Sequence, residues 1–149
     1  MSGGDAVPGP GIVGSYRVVS VERTLEDGTV VEPFGPAPDG LLLYGADGMT
    51  AAVVGASGRP QLDLDLIANQ ISASEADQAA AFRSAHGFAG TYEVADGVVI
   101  HRILVATVQN WVGTAQHRPY ELDGDQLTLR PPGWRVVARR IRSTGAGAG

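Results

Sequence analysis

From residue 12 onward, short runs rich in Val, Ile, Leu, Thr and Tyr alternate apolar with polar positions, and small polar turn residues interrupt them. The runs cover 14–24, 29–33, 40–45, 49–55, 87–94, 98–106, 113–122, 126–130 and 134–142. A period of two over such lengths is the signature of half-buried strands. Asp-Gly pairs occur at Asp27-Gly28, Asp39-Gly40, Asp47-Gly48, Asp96-Gly97 and Asp123-Gly124, and four of the five lie between runs. Asp-Gly suits a two-residue hairpin because both residues tolerate positive φ. The pattern predicts an all-β fold: an antiparallel meander of about eight to ten strands closed into a small barrel or stacked as a sandwich.

One segment departs from it. "SASEADQAAAFRSAHG" starts with Ser72 and Glu75 at capping-box spacing, runs through alanines and Phe82, and reaches Gly87, which predicts one short helix near 74–86. Before it, "GASGRPQLDLDLIANQ" is a long connection whose Leu62, Leu64 and Leu66 alternate and would form a short strand or a lid. Residues 12–142 read as one domain, and the Gly-rich segments 1–11 and 143–149 as tails.

Hairpin arithmetic picks out unusual inward residues. Taking Asp123-Gly124 as the turn sets Tyr120 opposite Leu127 and Arg118 opposite Leu129, so Gln116, Arg118, Tyr120, Leu127 and Leu129 share the apolar face. His117, Pro119, Glu121, Gln126, Thr128 and Arg130 fall on the wet one. Around Asp96-Gly97, Val94 opposes Val99 and Tyr92 opposes His101, which turns His101 inward beside Phe88 and Tyr92. A three-residue loop would turn Arg102 inward instead.

Composition narrows the chemistry. The net charge is −5, with no basic run, which gives no footprint for nucleic acid or an anionic membrane surface. The chain has no cysteine and no lysine, which removes disulfides, thiolate nucleophiles and Schiff bases. The three histidines lack ligand spacing, so neither a metal nor another cofactor is expected. His86 falls where the helix should end and reads as a C-cap. No apolar stretch approaches the roughly 20 residues of a membrane span and the start does not resemble a signal peptide, so a cytoplasmic location is expected.

The stretches "IVGSYRVVSVE", "PFGPAPDGLLLYGADGMTAAV" and "NWVGTAQHRPYELDGDQLTL" resemble, in that order, the bacterial and fungal family of lipocalin-like domain proteins. The resemblance covers most of the chain and implies a small antiparallel β-barrel with a central cavity. The family opens with Gly-Thr-Trp-Arg-Leu, whereas this chain has Gly14-Ser15-Tyr16-Arg17-Val18, which makes Tyr16 the aromatic at the closed end. Lipocalin barrels also stack an arginine over that aromatic. Arg118 therefore has two readings: a structural partner of Tyr16, or, with Gln116, a donor pair holding a carboxylate, enolate or carbonyl in the cavity.

Two function classes follow. The favoured one, which the resemblance implies by analogy with lipocalin-like barrels that act as cyclases in secondary metabolism, is an enzyme that folds a hydrophobic, polyketide-like substrate and promotes cyclisation, cycloaddition or isomerisation by positioning and polarising it. Gln116, His101 and Arg118 are its candidate catalytic residues, and Tyr44, Phe82, Tyr92, Trp111, Tyr120 and Trp134 its candidate ligand-binding residues. The other class is a carrier or sensor of a small hydrophobic ligand. A second copy of the chain stays open as a further partner.

Overall fold

The computed structural model describes residues 11–142, which are mostly strand. In chain order the elements are β1 (Gly14–Thr24), β2 (Val30–Val31), β3 (Asp39–Tyr44), β4 (Met49–Gly55), β5 (Leu64–Asp65), β6 (Gln70–Ile71), α1 (Glu75–Ser84), β7 (Ala85–Ala95), β8 (Val98–Ala106), a 3-10 turn (Gln109–Trp111), β9 (Ala115–Asp123), β10 (Gln126–Leu129) and β11 (Trp134–Arg140). Strands β1, β3, β4, β7, β8, β9, β10 and β11 pair in that order, and β11 pairs back onto β1. The result is a closed eight-stranded antiparallel barrel. β2 adds a short edge to β1, and β5 with β6 forms a separate hairpin in the long connection before the helix. Each of the nine sequence runs contains a strand; β5 and β6 are additional. Of the segments expected as tails, 1–11 and 143–149, all but Gly11 lie outside the described residues.

Alternation explains the strands. Along β9 exposure switches at every residue, with Gln116, Arg118, Tyr120 and Leu122 turned inward. Two irregularities bend the sheet for closure, one in β1 between Val18 and Ser20 and one where β7 passes from Ala89 to Gly90 against β8. A Cβ at Gly90 would stand 1.9 Å from the Arg102 carbonyl oxygen, so the backbones meet there only because the residue is glycine.

The hairpin arithmetic is met at one turn and slides at the other. Asp96 and Gly97, at φ 52° and 74°, form the expected two-residue loop, so Tyr92 pairs with His101 and Arg102 points outward to Glu93 at 2.8 Å. At the next hairpin Asp123 itself pairs with Gln126, which makes Gly124 and Asp125 the turn residues; Leu122 faces Leu127 and Tyr120 faces Leu129. Gly124, at φ 59°, prefers the first central position of such a turn. The register moves by two residues, which preserves every inward assignment. Thr128, expected on the wet face, is instead buried between its pairing partners Glu121 and Val137.

The helix needs two corrections. Its N-cap is Ser74, whose hydroxyl accepts from the Asp77 amide, and not Ser72. It ends at Ser84, and β7 begins at once with Ala85, so His86 is a strand residue and caps nothing. No α1 residue is fully buried. Among the described residues no helix is long and apolar enough to cross a membrane.

Candidate functional site

The antiparallel order gives the barrel two different ends. At the closed end the loops are tight: residues 45–48, Asp96-Gly97 and Gly124-Asp125. At the open end lie residues 25–38, the whole excursion from 56 to α1, the 3-10 turn and the Pro131-Pro132 loop.

The closed end is filled. Ile12, Tyr16, Leu42, Tyr44, Tyr92, Val99, Leu127, Leu129 and Ala138 form one buried cluster, with Val94, Tyr120 and Leu122 packed against it. Tyr44 stands at its centre, edge-on to Tyr16 at 6.2 Å and to Tyr92 at 4.8 Å between ring centroids. The phenols are satisfied in turn: Tyr16 Oη donates to the Ile12 carbonyl at 2.8 Å and Tyr92 Oη to that of Gly45 at 2.8 Å. Arg140 covers this floor, with its guanidinium 5.3 Å from the Tyr16 ring centroid and its Nη2 donating to Tyr16 Oη at 2.7 Å and to the Gly11 carbonyl. The arginine over the first-strand aromatic is therefore Arg140, and the structural pairing of Arg118 with Tyr16 does not exist.

Above the floor the barrel is hollow. A cavity of about 510 Å³ is lined by apolar side chains, among them Val18, Leu42, Ala52, Phe88, Leu129 and Val136. That volume lies within the usual range for small-molecule sites. The cavity's polar lining residues are His86, His101, Gln116, Arg118 and His117, the last expected on the wet face, and among the described residues no aspartate or glutamate lines it. Gln116 pairs directly with His101 across β8 and β9, and Arg118 is two residues further along the same face.

His101 is 1 % exposed and bonded through Nε2 to Tyr44 Oη at 2.7 Å, which ties the cavity to the floor. Burial, and secondarily the charge of Arg118, pushes its pKa down to about 3, so the ring is neutral near pH 7. Burial also raises the Tyr44 phenol, which keeps its proton. That proton has no acceptor other than His101 Nε2 among the described residues. The assignment puts the ring hydrogen on Nδ1, which has no partner.

Arg118 donates from Nη2 to Gln116 Oε1, while its buried Nε has no partner. Burial lowers its pKa from the ordinary arginine value. The side chain is partly exposed, and among the described residues no carboxylate pairs with it. The ion pairs lie elsewhere, at Arg102–Glu93, Arg130–Glu121, Arg135–Glu22 and Arg142–Asp125.

An aromatic rim surrounds the mouth. His86 stands edge-on to Phe34 at 5.8 Å, to Phe82 at 5.9 Å and to Trp111 at 5.9 Å, and Phe88 links Trp111 to His101. Trp134 completes the wall beside Pro131 and Pro132.

Of the sequence candidates, Gln116, His101, Arg118, Trp111 and Trp134 come together on this cavity. Tyr44, Tyr92 and Tyr120 point inward as expected but sit lower, in the packed floor. Phe82 is 49 % exposed on α1 and touches the rim only through His86. Sequence reasoning missed His86 and Phe34. The two-residue step that places Phe88 and Tyr92 inward also reaches His86, had the helix been ended earlier.

No functionally curated protein matches the chain. Among solved structures it is similar to a lipocalin-like protein from Bacteroides uniformis, at 12 % identity and a TM-score of 0.53 over 88 % of this chain and 99 % of that one. A lipoprotein YedD from Klebsiella pneumoniae shares 10 % identity at a TM-score of 0.45 over 96 % of this chain and 83 % of that one. An uncharacterized protein from Bacteroides eggerthii shares 15 % at 0.47 over 87 % and 98 %. The first likeness carries the fold alone. The model of the lipocalin-like domain matches residues 13–144, which takes in every barrel strand and the whole cavity wall, and the chain belongs to that family.

Proposed function

We propose that this chain binds a small, largely apolar molecule inside the barrel, entered past Phe34, Trp111 and Trp134. One observation carries the reading: an eight-stranded barrel whose upper half encloses about 510 Å³ behind an apolar wall with a few convergent polar groups. Eight strands are enough to hold one small ligand when the interior is not filled by side chains. The uncharged dye N-phenyl-1-naphthylamine tests it. Saturable binding is expected, with energy transfer from the only two tryptophans, and Trp111→Phe and Trp134→Phe should each reduce that transfer. Absence of saturable binding, or transfer unchanged in both variants, overturns the reading.

A second reading adds turnover: cyclisation or isomerisation of a polyketide-like substrate. The observation in its favour is a set of donors in an apolar site, where polarisation of a carbonyl or enol is stronger than in water. His101 enters this reading as a neutral hydrogen-bond donor, because its depressed pKa removes the imidazolium as an acid. Deuterium exchange at the α-carbon of a bound aryl ketone measures the polarisation. A rate no faster than in buffer defeats the catalytic reading and leaves binding untouched.

A further inference from the structure

Resting on the binding reading, we infer that the cavity selects a hydrophobic monoanion, with the acidic oxygen seated against Arg118 and the carbon skeleton along the apolar wall. The argument begins from the inventory of hydrogen-bonding groups at the node. Arg118 Nε and His101 Nδ1 are buried and unpartnered. Gln116 has its amide oxygen committed to Arg118, which orients its NH2 group as a further donor. The node therefore offers donors, and its two side-chain acceptors, Gln116 Oε1 and His101 Nε2, are already taken by Arg118 and Tyr44. A ligand that satisfies it must bring acceptors.

Charge sharpens acceptor into anion. The chain carries −5 overall, yet among the described residues no acidic side chain lines the cavity, and the cavity wall carries the Arg118 cation. A neutral carbonyl would fill a hydrogen bond and leave that cation uncompensated in a low-dielectric site; a carboxylate, enolate or phenolate supplies both the acceptor and the opposite charge. Arg140 shows the alternative: a guanidinium settled by a ring face, a hydroxyl and a carbonyl of its own chain. Arg118 has no such set. His101 is neutral, so it adds a donor without adding charge that would compete for the anion.

Displacement of bound N-phenyl-1-naphthylamine by decanoate, dodecanoate and tetradecanoate, each against its methyl ester, tests the inference. The acids should displace the dye at concentrations at least about ten-fold lower than their esters, as expected of a charge-assisted bond formed away from water. In Arg118→Met the preference should fall to about one, through weaker acid binding with ester binding retained. Arg118→Lys, which keeps the charge without the fork, should keep part of it. Acid and ester displacing equally in the native protein overturns the anion inference and leaves the cavity reading standing. Failure of every acid and ester to displace a dye that binds saturably overturns the anion inference, while the cavity reading stands or falls on the dye binding itself. A preference that survives undiminished in Arg118→Met also overturns the inference, since the anion then sits elsewhere.

Discussion

Arg140 on the floor and Arg118 in the cavity are the same side chain solved in two ways. Arg140 lies over the Tyr16 ring and gives Nη2 to a hydroxyl and a carbonyl; its buried Nε lacks a partner. Arg118 has one protein acceptor, the Gln116 amide, in a wall with no carboxylate. The difference teaches how the barrel divides its work. The lower half pairs its phenols and the Arg140 Nη2 internally and packs around Tyr44, while the upper half leaves Arg118 Nε and His101 Nδ1 without a partner beside the cavity. Incomplete satisfaction in a native structure calls for an explanation, and the proposed acidic ligand is one.

His101 joins the two halves, and acid should break it first. Its folded pKa lies near 3, below the ordinary histidine value of 6.5, so the unfolded chain binds the proton more readily. Stability is then full above about pH 6.5 and declines as pH falls toward 3, by an amount on the order of 3–5 kcal/mol. Urea unfolding across that window should show the decline, and His101→Gln should flatten it. The depressed carboxylates Asp27 and Asp125 add to the decline only as pH falls to their ordinary value of 3.8 and below, so the part of the slope above that belongs to His101. An equal slope in the variant would assign the acid sensitivity to other groups.

The floor comes next. Arg140→Met removes a charged donor and the cation over Tyr16 and should destabilise by about 1–3 kcal/mol. Dye affinity in the folded fraction should stay at the native value, because the cavity lies on the far side of Tyr44. Weakened dye binding at full stability would reverse the roles assigned to the two arginines.

Which arginine belonged to which half was not legible along the chain. Period-two alternation places Gln116, Arg118 and His101 on the inner face, and it keeps doing so although the Asp123 hairpin slips by two residues. Alternation fixes a face and carries nothing about depth. Tyr44, Tyr92 and Tyr120 therefore read as equal to Trp111 and Trp134, although the stagger of the strands puts the first three in the floor. The arginine on Tyr16 could not be found locally either. Arg140 meets it only because β11 closes the barrel on β1, a contact between residues 124 apart in sequence. His86 was lost differently: the helix-to-strand junction at Ala85 has no glycine or proline to mark it.

Arg118→Met should have a smaller effect on stability than its floor counterpart, and of the opposite tendency. The substitution frees a buried cation whose desolvation is offset by only one amide, and it fills apolar space with a flexible apolar chain. The free energy of unfolding should stay within error or rise, by up to about 1 kcal/mol. A loss comparable to that of Arg140→Met would mean that Arg118 holds the fold together and that the polar node is structural.

The smallest effect lies between Gln116 and Arg118 themselves, and a double-mutant cycle isolates it. Gln116→Leu alone removes the acceptor of Arg118 Nη2 and leaves the guanidinium with no protein partner, so it should destabilise by about 1 kcal/mol. In the Arg118→Met background the same change removes an amide that has already lost its cation, and replacing both members with apolar groups of similar shape is close to neutral. The coupling energy should therefore be about 1 kcal/mol, with the double variant at least as stable as Gln116→Leu. Additive effects would show that the two side chains do not meet in solution, and the shared donor node that points to an acidic ligand would lose one of its members.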